Sequence, residues 1–165
     1  MQQDLTIIDT DMLTGLSETA KSLPRLRKNH NVHTDLNDPV QRLFNAMEPG
    51  TYVRPHRHQG GNRWEFFQIV SGRAAVLTFN EQGVLLEKVE LNCRGPRVAV
   101  EIPGNTWHTI VSLECGTVLF EIKQGPYQAV TDKDFAAWAP LEGEPGASRL
   151  VSWFAEADAG DVWPS

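Results

Sequence analysis

Two histidines two residues apart, His56 and His58, constrain this chain more than any other feature. They lie in G-T-Y-V-R-P-H-R-H-Q-G-G-N-R-W-E-F-F-Q-I-V-S-G, which runs from Gly50 to Gly72. In extended backbone, alternate side chains leave the same face, so both imidazoles point one way. Their Cα atoms are then roughly 6–7 Å apart, close enough for both rings to reach one metal ion. The turn residues Gln59 to Asn62 break this strand. A second strand follows over 63–70, with Glu65, Phe67 and Ile69 on one face. In a continuous strand, the odd separation of His58 and Glu65 would put them on opposite faces. A fold-back at the turn brings the Glu65 carboxylate to the imidazoles.

The rest of the chain reads as a β-rich domain. Strand character recurs near 41–47, 51–58, 63–70, 73–80, 84–91, 97–103, 106–112 and 117–123, with turn signals between. Eight short strands predict a sandwich or barrel. Before them, Asp9, Thr10 and Asp11 offer N-caps to a helix carrying Met12, Leu13, Leu16 and Ala20, and Pro24 limits it. Arg25 to Lys28 reads as a solvated basic run, with a role in meeting an anionic substrate or a partner subunit as the alternative, and Asn29 to Thr34, with His30 and His33, reads as loop. The expected division is a helical and loop extension over 1–40, a β-barrel over 41–125 and a tail over 126–165. Phe135, Trp138, Trp153, Phe154 and Trp163 make that tail too apolar to stay in solvent. It is expected to pack on its own barrel, cover the barrel mouth or reach a second subunit, with a short helix over 150–157.

Charge excludes some functions. A net charge of −6 and a pI near 5.3 argue against a nucleic-acid or anionic-membrane partner. No apolar run approaches the ~18–20 residues that span a bilayer. The start, Met1 to Leu5, lacks a signal peptide's basic lead and apolar core, so a cytoplasmic protein is expected. Cys93 and Cys115 have no metal or redox spacing and read as free thiols.

The set Gly50, His56, His58, Glu65, Gly72 resembles the first motif of the cupins, G-x5-H-x-H-x(3,4)-E-x6-G, with a longer gap of six residues before Glu65. Pro103-Gly104-Asn105-Thr106-Trp107-His108 is similar to the second, P-x-G-x-x-H. Asn105 stands where that motif has glycine, and asparagine tolerates the left-handed backbone such a turn needs. Further segments resemble the WbuC-like cupin-fold metalloproteins. These are Pro39 to Leu43, Arg63-Trp64-Glu65, Lys123 to Tyr127, Asp132 to Phe135 and Trp138-Ala139-Pro140. The resemblance implies an all-β, single-domain cupin jelly-roll barrel with an N-terminal helix and an aromatic-rich C-terminal tail. It also implies a homodimer, an association with polysaccharide biosynthesis, and a metal site of His56, His58, Glu65 and His108.

Three imidazoles and a carboxylate suit one divalent transition metal: iron, manganese, nickel, zinc or copper. Four protein ligands leave positions for water, substrate or dioxygen, whereas a structural zinc site would be closed and often thiolate-rich. Three residues are candidates for holding a small-molecule ligand. Arg42, on the first core strand, can pair with a carboxylate of the fold or hold an anionic substrate, and the resemblance brings the second reading level with the first. Tyr52 and Arg54 share the strand of His56 and His58 and, by alternation, their face. Trp107 falls on the face opposite His108 and is expected to pack in the shell. Three functions are open: a metal-dependent enzyme such as an oxygenase or isomerase, a non-catalytic binding or sensing protein, and a metal-free sugar-nucleotide epimerase-like protein. The His-x-His and Glu pattern speaks against the last.

Overall fold

The computed structural model describes residues 5–60, 63–129, 131 and 134–164. Met1 to Asp4, Gly61 and Asn62 of the expected turn, and Asp132 and Lys133 of the tail lie outside the described residues. The order is α1 (Thr10–Ser22), β1 (Arg27–Asn31), β2 (Val40–Met47), β3 (Glu65–Ser71), β4 (Arg73–Phe79), β5 (Leu85–Asn92), β6 (Ala99–Ile102), β7 (Trp107–Ser112), β8 (Thr117–Gln124) and α2 (Pro145–Glu156). One sheet runs β1-β2-β8-β3-β6 and the other β5-β4-β7, with every pairing antiparallel.

Strand alternation sorts the side chains into three apolar layers. Between the sheets lie Met47, Phe67, Ile69 and Leu119 from one and Ala74, Val76, Leu91 and Ile110 from the other. Outside the larger sheet, Phe44, Ala46 and Val118 meet Ala20, Leu13 and Leu16 of α1. Outside the smaller sheet, Ala75, Leu77, Phe79, Trp107 and Val111 meet Leu150, Val151 and Phe154 of α2. The molecule is therefore a two-sheet sandwich capped on each outer face by a helix. The tail packs on its own barrel, and Trp107 faces outward as its position predicts.

The helix over 10–22 forms where expected, with the Asp9 carboxylate accepting from Met12 N–H at 2.8 Å. Two expectations are corrected. Residues 27–31, read as basic run and loop, form β1, so the sheet begins inside the segment assigned to the extension. Its sequence, R-K-N-H-N, has no apolar alternation, because this edge strand is held by its backbone ladder to β2. The expected strand over 51–58 is irregular and meets β7 through an isolated bridge between His56 and His108 and a hydrogen bond from Thr109 Oγ1 to Val53 O. Pro55 supplies no N–H there, and Arg57 N–H donates to the tail, at Asp134 O (2.9 Å).

The turn into β4 depends on Gly72, whose φ is +72°. A Cβ there would sit 2.6 Å from Thr117 Oγ1 and 2.8 Å from Thr117 Cα. Gly72→Ala combines left-handed strain with this clash and is expected to destabilise the fold by about 2 kcal/mol or more. A chemical-denaturation midpoint equal to wild type would contradict this.

Candidate metal centre

Three separate pieces of chain meet at the site. The 51–58 segment supplies His56 and His58, the first residue of β3 supplies Glu65, and β7 supplies His108. His56 and His108 exchange backbone hydrogen bonds of 3.0 and 2.9 Å, which fixes the irregular segment against β7. The turn before β7 is tied in as well, since Asn105 N–H donates to His58 O at 3.2 Å. Asn105 has φ +63°, the left-handed backbone that its place in the turn requires. Among the inward positions, Glu65 is followed by Phe67 and Ile69, as alternation predicts.

One donor atom from each of the four residues lies within 4.8 Å of every other. Glu65 Oε1 is 3.0 Å from His58 Nε2, and Glu65 Oε2 is 2.9 Å from His108 Nε2. Two ligands bound at about 2.1 Å and at right angles are about 3.0 Å apart, so these spacings suit a shared ion. The tautomers suit it too. Nδ1 of His56 lies 2.9 Å from Arg54 O, and Nδ1 of His108 lies 2.8 Å from Thr106 O. A carbonyl only accepts, so each Nδ1 carries a proton and Nε2 is the atom each neutral ring offers to an ion; without metal, a protonated His108 Nε2 donates to Glu65 Oε2 instead. His58 Nε2 is buried and, despite its proximity to Glu65, has no aligned hydrogen-bond partner among the described residues. Such an orphaned nitrogen is what a bound cation would satisfy, and the residues present fit a divalent metal.

Burial, with repulsion from His108, pushes the His56 pKa down to about 3. Burial also opposes charge on His108, but the hydrogen bond and charge of Glu65 outweigh it and hold its pKa above the ordinary value. Glu65 stays well below the carboxylate range: burial alone would raise it, and its contacts with His108 and His58 reverse that. Between the unfolded histidine pKa of 6.5 and about 3, the unfolded chain takes a proton at His56 that the folded chain refuses. Metal-free protein therefore loses stability as pH falls through this window, while the His108–Glu65 pair loses its contribution as pH rises above 6.5. The melting temperature in chelator is expected to peak near pH 6.5 and to fall on both sides. Metal competes with protons for Nε2 and should flatten the alkaline limb. A profile unchanged between pH 4 and pH 7 would contradict the His56 assignment.

Beside the ligands lies an interior cavity of about 150 Å³, lined by His56, Glu65 and His108 together with Arg27, Asn29, Asn45, Glu121 and Lys123. Lys123 Nζ donates to Glu121 Oε1 at 2.6 Å and lies 3.4 Å from Glu65 Oε1. Asn45 Nδ2 donates to the other oxygen of Glu121. Burial opposes the charge on Lys123, but the carboxylates of Glu121 and Glu65 outweigh it and hold the amine protonated, its pKa above the ordinary value. Asn45 and Glu121 were not singled out by motif or spacing, while Arg27 lay in the basic run and Lys123 in the segment Lys123 to Tyr127, neither assigned to the metal site. The available signal was polar residues at inward positions of apolar strands: Asn45 in R-L-F-N-A-M, and Glu121 and Lys123 in V-L-F-E-I-K.

None of the three expected ligand-holding residues lines this cavity, and of them Arg54 alone lines the outer depression beside His56. Arg42 is exposed on the outer face of β2, 3.5 Å from Asp38, because the inward positions there are Gln41, Asn45 and Met47. Tyr52 is buried under the tail and its hydroxyl donates to Pro140 O at 2.8 Å. Arg54 donates to Ala136 O and Ala139 O, with its guanidinium over Phe135. Val53 faces the inner core while His56 also lines the inner cavity, so strict alternation fails across Pro55. Tyr52 and Arg54 therefore support the tail that passes over the site. His33 hydrogen-bonds the Arg42 backbone, and His30 is exposed on β1.

Solved structures share this architecture. The TT1209 protein of Thermus thermophilus is 18% identical, with 73% of this chain and 97% of that one covered at a TM-score of 0.52. A conserved SPY1581 protein of unknown function from Streptococcus pyogenes is 10% identical, covering 77% and 93% at 0.50. A cupin superfamily protein from Desulfitobacterium hafniense DCB-2 is 16% identical, covering 59% and 76% at 0.46. No curated protein matches the chain. The fold is an all-β, two-sheet jelly roll, the architecture shared with the Thermus and Streptococcus structures. The family described as "Domain of unknown function (DUF6016)" matches residues 8–91, just over half of the sequence, and the chain belongs to that family.

Proposed function

We propose that this protein is a metal-dependent cupin enzyme that binds one divalent transition metal through His56, His58, Glu65 and His108. Its substrate is a small polar molecule, of the sugar or carboxylate kind, held in the adjoining cavity. One observation carries this reading: donor atoms of His56, His58, Glu65 and His108 converge within 4.8 Å beside a polar cavity, with Nδ1 of His56 and His108 tied to backbone carbonyls so that Nε2 is the atom each offers to an ion. A bound ion would act there as a Lewis acid toward an oxygen of the substrate. The chain's own part is positional. Lys123 and Glu121 present a charged donor and an acceptor at the cavity wall, while the tail's Phe135 lies beside His56 with ring centroids 6.3 Å apart. The WbuC-like likeness noted in the sequence belongs to this reading.

Glu65→Gln keeps the side-chain shape and removes the charge. It is expected to lower metal affinity by about 10- to 100-fold and to remove turnover with it. The check is metal titration alongside an activity screen of loaded and chelated protein against small sugars and carboxylic acids. Turnover that survives both chelation and Glu65→Gln would refute the proposal. Metal-loaded protein that binds such molecules without converting any would leave a binding or sensing role.

A further inference from the structure

The interior cavity shares Arg27, Val53 and His56 with an outer depression of about 500 Å³, which also includes Arg25, Arg54 and Glu142. Arg27 is thus common to the chamber beside the metal ligands and to its mouth. At the mouth, Glu142 already shows which chemistry fits. Its two oxygens lie 2.7 and 2.8 Å from Nε and Nη2 of Arg25, a side-by-side carboxylate grip, and one is 3.3 Å from Arg27 Nη2. Inside, the positive charges of Arg27 and Lys123 balance those of Glu65 and Glu121. A divalent ion on neutral histidines adds two positive charges that nothing else in the lining cancels. A chamber of about 150 Å³ admits only a small occupant.

We infer that the chamber selects small carboxylate anions, with Arg27 and Lys123 as the specificity-determining cations and Glu142 as an internal competitor at the mouth. This rests on the metal-centre reading above and narrows its substrate class. Arg27 is held in place by the chain itself. Its Nη1 donates to Tyr52 O at 2.7 Å and lies 3.2 Å from Thr51 Oγ1, so the guanidinium is fixed before any ligand arrives. Glu142 is about two-fifths exposed and joins the mouth from the tail, so an incoming anion can displace it without disturbing the barrel.

The test is calorimetric titration of metal-loaded protein with malonate, its neutral analogue malonamide and inorganic phosphate, with metal content measured on every sample. Malonate is expected to bind at least about 10-fold more tightly than malonamide and more tightly than phosphate. Arg27→Met and Lys123→Met should each weaken malonate by about 10- to 100-fold. Glu142→Gln removes the competitor and no cation, so it should strengthen malonate binding several-fold. That gain cannot arise from misfolding. Equal binding of malonate and malonamide, phosphate outcompeting malonate, or no gain in Glu142→Gln would each overturn the inference. Metal content separates the two claims. Protein that takes up no metal fails the metal-centre reading, and dependence of malonate binding on Arg27 then decides the anion site alone.

Discussion

Replacing His108 with alanine is expected to abolish stoichiometric metal binding, lowering affinity by at least about 100-fold. The side chain is buried on β7 and supplies an Nε2 donor that cannot be replaced from elsewhere in the site. Its loss also leaves Glu65 Oε2 without its 2.9 Å partner in a buried setting, a defect of about 1–3 kcal/mol or more for a charged group. The two effects separate experimentally. In wild type, metal at about 1,000 times its dissociation constant adds roughly 4 kcal/mol. That is about 10 °C in melting temperature for a chain of this size. His108→Ala should melt lower than wild type in chelator and should gain almost nothing when metal is added. A variant that keeps the full metal-induced shift would remove His108 from the site.

The second large effect is on stability without metal. Phe154→Ala should destabilise the fold by about 3–5 kcal/mol. Phe154 is 1% exposed and packs against Phe79 and Trp153 at ring-centroid distances of 5.9 Å each. It is the largest fully buried side chain in the layer joining α2 to the smaller sheet. The cavity it leaves is walled by rigid strands and other aromatics, which limits collapse. Because this layer lies on the face of β7 opposite His108, metal stoichiometry at low temperature should be unchanged. A loss below about 1 kcal/mol in denaturant titration would show that α2 is only loosely docked.

Much of the site was legible in the sequence because its residues sit in short, patterned runs. His56 and His58 mark themselves by spacing, and the strand parity of Glu65, Phe67 and Ile69 turns the carboxylate inward as expected. The asparagine in the 103–108 turn was legible for a backbone reason, realised as φ +63° at Asn105. What stayed hidden depends on contacts between distant segments. The sequence R-K-N-H-N carries no burial pattern, since β1 is an edge strand defined by its partner β2. Arg27 therefore read only as part of a basic run, solvated or meeting an anion or a partner, and it is the fold that brings it to the cavity. Tyr52 and Arg54 were drawn toward the site by an alternation that Pro55 interrupts, and their true partners, Ala136, Ala139 and Pro140, lie more than 80 residues away.

The central claim is that His56, His58, Glu65 and His108 hold one divalent metal ion. Elemental analysis of untagged protein, purified without chelator and compared with a His56→Ala, His108→Ala double variant, tests it most directly. The account predicts close to one equivalent of a single transition metal per wild-type chain and less than about a tenth of that in the variant. Wild-type protein that carries no metal and takes up none on titration, or a double variant that keeps its full equivalent, would contradict it.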